Sequence, residues 1–252
     1  MTTKQHDIEH RPLRIPNFYS DLIFRPYLCA TMDMRDSWLR VDNVIRRSNL
    51  SRDDFIKDFE TPNVPVVLTG AAKEWPAYQK WTHQYLTKVS GNKTFNCGGF
   101  QVTFENYVQY ATSNKPFEDQ PLYLFAKHFC DKIPSLEKDY DPPSLFGEDL
   151  FSLLGTSRPD YRWLIVGPKR SASSFHIDPN GTSAWNAVIR GAKRWIMFPP
   201  GISPPGVYAS DDGADVSQPV SLVEWYLEFF DDELMEKSIQ FTARRGDVVF
   251  VP

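Results

Sequence analysis

The sequence lacks the features of several specialised protein classes. Its three cysteines, Cys29, Cys97 and Cys130, are odd in number and have no C-x-x-C spacing, so neither a disulfide framework nor a zinc site is predicted. No apolar run approaches the roughly 20 residues that span a bilayer, and the N-terminus has no apolar signal core. We therefore expect a protein of a reducing compartment, the nucleus or the cytoplasm, with no membrane partner.

An excess of positive charge is also missing. The 252 residues carry 28 Lys and Arg against 32 Asp and Glu, a formal charge of -4, so direct nucleic-acid binding and a tRNA-modifying role are not expected. No repeat of fixed period and no low-complexity tract is present, which argues against a solenoid. Aromatic residues are abundant at 14%, with eighteen Phe and seven Trp, and favour β-rich packing in a single bulky domain.

The N-terminal half predicts helices mixed with short strands. "LSRDDFIKDFE" predicts a helix with Ser51 as N-cap and Asp54 in the capping-box position. "WTHQYLTKVSG" predicts a second helix, capped by Thr82 and ended by Gly91. "TFNCGGFQVTF" predicts a hairpin turning at its two glycines, and "FENYVQYATS" a further helix.

The C-terminal half predicts a sandwich or barrel. Short strands separated by Pro, Gly and Asp are predicted at "PLYLFAKHF", "YRWLIVG", "SSFHID", "AWNAVIRG", "KRWIMFPP", "SIQFTA" and "GDVVFVP". "SLVEWYLEFFDDEL" interrupts them as a helix outside the barrel, with a capping box formed by Ser221 and Glu224.

The strand predicted at "SSFHID" contains two candidate metal ligands. Its period of two places His176 and Asp178 on one face and Phe175 and Ile177 on the other. A non-haem Fe(II) site needs two His and one carboxylate, and this H-x-D supplies two of the three. The tripeptide alone is weakly specific, and a surface or turn-capping pair before Pro179 is the alternative interpretation.

Candidate cosubstrate residues surround this pair. A dicarboxylate such as 2-oxoglutarate needs a cation for its distal carboxylate, and Lys193 can supply it, although a strand lysine is usually solvated. Tyr123 and Ser173 could add hydroxyl groups and Asn186 an amide. Their alternatives are a core position for Tyr123, a turn for Ser173 and a strand-edge bond for Asn186. "AWNAVI" and "KRWIMF" are predicted to join through a turn at Arg190–Gly191.

The motifs "YRWLIVGP", "SSFHIDPNGTSAWNAVIRGAKRWIMFPP" and "GDVVFVP" resemble the Jumonji-C (JmjC) Fe(II)/2-oxoglutarate oxygenases. The resemblance is to the branch of the bifunctional arginine demethylase and lysyl hydroxylase, above all to plant and fungal members with an F-box. It begins near "RVDNVIRR" and implies a mainly β fold with α decoration: a double-stranded β-helix, the cupin-like jelly roll. Residues 41–252 would form the JmjC domain, after an N-terminal arm, 1–40, that could be an F-box tail.

The resemblance also implies roles for the candidate residues. His176 and Asp178 match the iron ligands, whereas Lys193, Tyr123, Ser173 and Asn186 match the 2-oxoglutarate pocket. Ser173 stands where the family often has a threonine.

One departure from the family pattern concerns the third iron ligand. In the family, "VFVP" leads into a Gly-Trp-Trp-His-like segment, and this sequence ends at Pro252. The other histidines, His6, His10, His83 and His128, are not placed to replace that ligand. We therefore expect a jelly roll that is incomplete at the C-terminus, with exposed edges and exposed residues of "VVFV", and an inactive chain.

The function implied is Fe(II)- and 2-oxoglutarate-dependent hydroxylation, or hydroxylation and demethylation, of a protein lysine or arginine side chain. The alternative is a non-catalytic JmjC-like scaffold or an F-box-type adaptor that contacts ubiquitin-ligase machinery. "FYSDLIFRPYLCATMD" is too short and too unpatterned to establish an F-box.

Overall fold

The computed structural model describes residue 29 and residues 32–113, 118–210, 215–219, 221–230 and 236–252. His6, His10 and most of the predicted N-terminal arm, with its possible F-box tail, lie outside these residues. No helix in the described part of the chain is long and apolar enough to cross a membrane.

Short helices and strands alternate along the chain. The helices are α1 Asp36–Leu39, α2 Arg52–Phe55, α3 Pro76–Lys80, α4 His83–Ser90, α5 Phe104–Thr112, α6 Phe129–Lys132 and α7 Leu222–Phe229. The strands are β1 Ile45–Arg47, β2 Val66–Leu68, β3 Thr94–Cys97, β4 Phe100–Thr103, β5 Leu124–Ala126, β6 Leu164–Val166, β7 Ala184–Ala187, β8 Ala192–Met197, β9 Tyr208–Ala209, β10 Val216–Ser217, β11 Ile239–Arg244 and β12 Val248–Val251. A π-helical turn continues α2 over Ile56–Glu60, and 3-10 turns cover Pro134–Asp139, Ser144–Phe146, Leu150–Ser157 and Pro179–Gly181.

The predicted helix caps are present. The Ser51 hydroxyl oxygen accepts a hydrogen bond from the backbone N–H of Asp54 (3.1 Å), and the Thr82 hydroxyl caps α4 in the same way. Ser221 caps α7 by accepting from the backbone N–H of Glu224 (3.1 Å). These caps satisfy N–H groups that the first turn of a helix leaves without a partner, so they form from local sequence alone.

The predicted glycine hairpin is confirmed as well. Strands β3 and β4 pair antiparallel, and Gly98 and Gly99 between them have φ of 58° and 90°. This left-handed conformation strains residues with a side chain, and a Cβ on Gly98 would lie only 2.5 Å from Leu122 Cδ2.

A sandwich is present, as predicted, but its strands come from both halves of the chain. One sheet has the strand order β1-β2-β12-β7, and the other consists of β11 and β8. Their shared core contains the buried Val67 of β2, Phe241 of β11 and Val249 of β12, with Trp195 of β8 packed against it. Because side chains from both sheets contribute to one core, the two sheets stabilise each other through apolar burial.

The expectation that "VVFV" would be exposed is wrong. Strand β12 pairs with β2 on one side and with β7 on the other, and Val248, Val249 and Phe250 are buried. One of these two neighbours, β2, comes from the N-terminal half of the chain and pairs antiparallel with β12. The ring of Phe55 covers the outer face of this sheet at 4.9 Å from the Phe250 ring.

The predicted turn at Arg190–Gly191 does not make β7 and β8 neighbours. Gly191 has a φ of 71°, as a tight turn requires, but β7 pairs with β12, and β8 pairs with β11. Val188 exchanges hydrogen bonds with the turn between β11 and β12, donating to the Asp247 carbonyl (3.0 Å) and accepting from the Gly246 N–H (2.8 Å). The chain therefore crosses from one sheet to the other at Val188.

A further sheet, β4-β3-β5-β6, carries the helices α3 to α6 on a separate core. That core contains the buried Asp139 carboxylate, which accepts hydrogen bonds from Lys80 Nζ (2.8 Å) and Trp81 Nε1 (2.9 Å). The two bonds offset the cost of burying the charge. Strand β5 of this sheet directly follows the candidate residue Tyr123.

Candidate metal and cosubstrate site

The segment 173–178 is irregular, with a bend at Phe175, and is not a strand, so the strand prediction for "SSFHID" is wrong. It joins no β-ladder in the described part of the chain, and a 3-10 turn, Pro179–Gly181, follows it. The backbone of Phe175 instead bonds to a side chain: its N–H donates to Gln218 Oε1 (2.8 Å), and its carbonyl accepts from Gln218 Nε2 (3.1 Å). Alternating residues do not make a strand by themselves, because a strand also needs a neighbouring strand.

His176 and Asp178 lie side by side in this segment. His176 Nε2 is 3.5 Å from Asp178 Oδ1, and the two side chains are 59% and 40% exposed. The Nδ1–H of His176 donates to the Ser174 carbonyl oxygen over 2.6 Å. Since a carbonyl only accepts, this bond uses Nδ1 as the donor and leaves Nε2, the nitrogen that faces Asp178, as the one that can bind a metal ion. Ile177 between them is 90% exposed, so this stretch is open to solvent.

The two side chains fit a transition metal such as iron in chemistry and in spacing. Imidazole and carboxylate are the donors of the non-haem iron sites. Cis ligands about 2.1 Å from a metal lie about 3 Å apart, close to the separation of Nε2 and Oδ1. In the described ranges, no group of three or more His, Cys, Asp or Glu side chains is arranged to hold a metal ion.

Lys193 projects from β8 toward the core between the sheets. It lies opposite Ala243 of β11 and shares a strand face with Trp195, which packs on the core opposite Phe241. Its Nζ is 4.2 Å from the centre of the Trp195 ring. Burial lowers the pKa of Lys193 to about 8, and the negative charge of Asp178 partly opposes this shift. The solvated-lysine alternative therefore does not describe Lys193.

Asn186 faces the same interior from the other sheet. It lies opposite Val249 on β7, whereas its neighbour Trp185 lies opposite Phe250 and packs on the outer face. Val249 belongs to the core between the sheets, so Asn186 points to that side as well. Lys193 and Asn186 thus line the space between the sheets from opposite sides.

Tyr123 and Ser173 contact each other. The Tyr123 hydroxyl is 3.0 Å from Ser173 Oγ, although fifty residues separate them in the chain. The contact links the residue that precedes β5 to the first residue of segment 173–178. It brings two candidate hydroxyl donors to one point, three residues before His176.

Sequence reasoning missed two contacts of the site. The Ser174 carbonyl orients His176, but a backbone group leaves no residue-specific signal in a sequence. Gln218 is 43 residues from the Phe175 backbone that it bonds, in a stretch with no recognisable motif. Only the folded chain shows these partners.

Comparison with known proteins reveals the relatives of this chain. A family model described as a cupin-like domain matches residues 52–252. The chain is 50% identical to "Arginine-specific demethylase JMJ22" of Arabidopsis thaliana over 242 residues, 95% of this chain and 48% of the relative. It is 41% identical to "Bifunctional arginine demethylase and lysyl-hydroxylase psr-1" of Caenorhabditis elegans over 175 residues, 66% of this chain and 42% of the relative.

A more distant relative is "2-oxoglutarate and iron-dependent oxygenase JMJD4" of Mus musculus. It is 28% identical over 177 residues, 59% of this chain and 41% of the relative. The chain spans about half the length of JMJ22 and less of the other two. With the family match over residues 52–252 and these similarities, the chain belongs to the cupin-like domain family and, as its motifs predict, to the JmjC branch of demethylases and oxygenases.

Proposed function

We propose that this chain is the oxygenase domain of an Fe(II)- and 2-oxoglutarate-dependent dioxygenase. Its substrate would be a lysine or arginine side chain of a protein, which it hydroxylates, or hydroxylates and demethylates. The observation that carries the proposal is the geometry of the exposed H-x-D pair, in which His176 Nε2 lies 3.5 Å from Asp178 Oδ1. The Tyr123–Ser173 hydroxyl pair lies three residues upstream of it, and the charge of Asp178 raises the pKa of the partly buried Lys193.

Each residue has a role in this proposal. His176 Nε2 and Asp178 Oδ1 would hold the iron, and the Ser174 carbonyl keeps the imidazole in the metal-binding tautomer. Lys193 would bind the distal carboxylate of 2-oxoglutarate through a charge-assisted hydrogen bond. Asn186 and the Tyr123–Ser173 pair would donate further hydrogen bonds to the cosubstrate.

The chemistry balances without another reactant. Fe(II) held by His176 and Asp178 would supply the activation of dioxygen, of which one atom would enter succinate as 2-oxoglutarate loses CO₂ and the other would form the hydroxyl group of the product. Hydroxylation of an N-methyl group would give an unstable product that releases formaldehyde, which is demethylation. At pH 7 a lysine with a pKa of about 8 is mostly protonated, so Lys193 can bind the carboxylate as a cation.

The substrate class follows from exposure and from the relatives. His176 is 59% exposed in its side chain and Ile177 is 90% exposed, so a side chain of another protein can reach the H-x-D pair. JMJ22 and psr-1 bear the names of an arginine demethylase and of a bifunctional arginine demethylase and lysyl hydroxylase. We therefore propose a basic protein side chain as substrate, and the nucleus, with the cytoplasm as a second location, as the place of action.

The test is succinate formation from 2-oxoglutarate with Fe(II) and methylated arginine or lysine peptides, followed by mass spectrometry. In a chain that also carries the histidine segment of the family, we expect turnover that His176→Ala abolishes, because a protein donor to the metal is removed. His83→Ala, at an exposed histidine at the start of α4, is the matched control and should keep full turnover. Succinate production by His176→Ala at the parental rate would overturn the proposal. A chain that forms no succinate but binds its partners would instead favour the scaffold or adaptor alternative.

A further inference from the structure

Gln218 follows β10 and is far in sequence from His176 and Asp178. Its side chain nevertheless bonds the backbone of Phe175, the residue before His176. Its side-chain amide accepts from the Phe175 N–H (2.8 Å) and donates to the Phe175 carbonyl (3.1 Å). Both backbone groups of Phe175 are thereby satisfied by one side chain. A primary amide has the same donor and acceptor as a peptide group, so Gln218 replaces the neighbouring strand that segment 173–178 lacks.

The Phe175 side chain packs against aromatic residues of α7 and of the chain that follows β8. Its ring is 5.0 Å from the ring of Trp225 in α7 and 6.1 Å from the ring of Phe198. Trp225 is buried and donates from Nε1 to the Pro205 carbonyl (2.7 Å). Phe175 is therefore fixed in both backbone and ring, and His176 comes directly after it.

We propose that Gln218 is a positioning residue that sets the spacing of His176 and Asp178. The inference rests on the proposed function, because the pair is taken to bind a metal ion. Two other contacts lie further upstream: Tyr123 contacts Ser173, and Gln120 Nε2 donates to the Ala172 carbonyl (3.3 Å). Those contacts restrain the cosubstrate end, whereas Gln218 restrains the backbone from which the His176 imidazole projects.

The first measurement tests the restraint itself. Gln218→Leu keeps the bulk of the side chain and removes both hydrogen bonds, so amide hydrogen exchange at Phe175 should become faster than in the parent chain. Gln218→Glu keeps the acceptor for the Phe175 N–H and should retain most of that protection. Ser217→Ala, at an exposed neighbour on β10, is the matched control and should leave the exchange unchanged. Equal exchange at Phe175 in Gln218→Leu and the parent would overturn the inference.

The second measurement tests the consequence for the metal. Titration with Co(II), followed by its visible absorption, reports both affinity and coordination geometry. Gln218→Leu should weaken Co(II) binding about 10- to 100-fold and change the spectrum, as loss of a group supporting a metal ligand does, while thermal unfolding changes little. Parental affinity and spectrum in Gln218→Leu would overturn the positioning role alone. Failure of the parent chain itself to bind Co(II) would overturn both this inference and the proposed metal site.

Discussion

The candidate site joins two regions that are held in different ways. Lys193 and Asn186 lie on strands: β8 pairs with β11 over six residues, and β7 pairs with β12 over four. His176 and Asp178 lie in an irregular segment outside the β-ladders of the described chain, bonded by the side chains of Gln218 and Tyr123. The strand residues face a buried core, whereas the H-x-D pair is largely exposed.

The difference has a physical consequence. Ladder bonds join backbone groups that nearly every residue possesses, so the positions of Lys193 and Asn186 tolerate many substitutions around them. The position of His176 depends on a few specific side chains, so single substitutions can move it. Segments with few buried contacts also open at a lower free energy than core strands. We therefore expect global stability to depend on the strands and metal affinity on the segment 173–178.

The largest expected effect comes from the strand region. Phe241→Ala removes a fully buried ring that stacks on Trp195, and it should lower the free energy of unfolding by about 3–5 kcal/mol. Urea denaturation followed by circular dichroism measures the loss. Phe100→Ala, at a ring that is 66% exposed, is the control and should change stability little. A small loss at Phe241 would mean that the core between the sheets is not the main source of stability.

A second effect distinguishes binding from stability. Lys193→Met keeps the length of the side chain but removes the cation, so we expect weaker 2-oxoglutarate binding by about 1.5–3 kcal/mol, roughly 10- to 150-fold. Calorimetric titration with 2-oxoglutarate measures it. Lys169→Met, at an exposed lysine, should bind like the parent. An unchanged affinity in Lys193→Met would assign Lys193 a structural role only.

The smallest effect is a pH dependence that follows from the same lysine. The pKa of Lys193 is lowered to about 8 from an unfolded value near 10.5, so the folded chain loses this proton at lower pH than the unfolded chain. Its cost to stability is present in full below pH 8 and is relieved between about pH 8 and pH 10.5, so this group makes stability rise with pH there. Binding of 2-oxoglutarate should fall by up to about tenfold per pH unit above that pKa, because the cation is lost.

Lys193→Met separates these pH effects from those of other groups. It should abolish the contribution of Lys193 to both profiles, which pH-dependent unfolding and titration measure. Asp178→Asn should lower the pKa of Lys193 further, since the charge of Asp178 raises it. Identical pH profiles in the parent and Lys193→Met would contradict the lowered pKa of Lys193 and its role in binding 2-oxoglutarate.

Local features of the fold could be predicted from sequence because short-range chemistry decides them. Ser51, Thr82 and Ser221 cap helices through N–H groups three residues away, and Gly98 and Gly99 permit a turn that other residues resist. The prediction failed where a neighbour comes from a distant part of the chain. "SSFHID" has the alternation of a strand, but Gln218 is the partner of its backbone, and β12 is buried because β2 lies beside it.

By itself, the sequence determined the types of side chain in the site, the H-x-D spacing and the membership of the JmjC branch. Tertiary structure decided that Lys193 is partly buried, that Tyr123 meets Ser173 across fifty residues, and that the Ser174 carbonyl sets the tautomer of His176. The physical reason is range: caps, turns and alternation act within a few residues of the chain. Burial and hydrogen bonding between distant residues exist only once the sheets have formed and closed over a shared core.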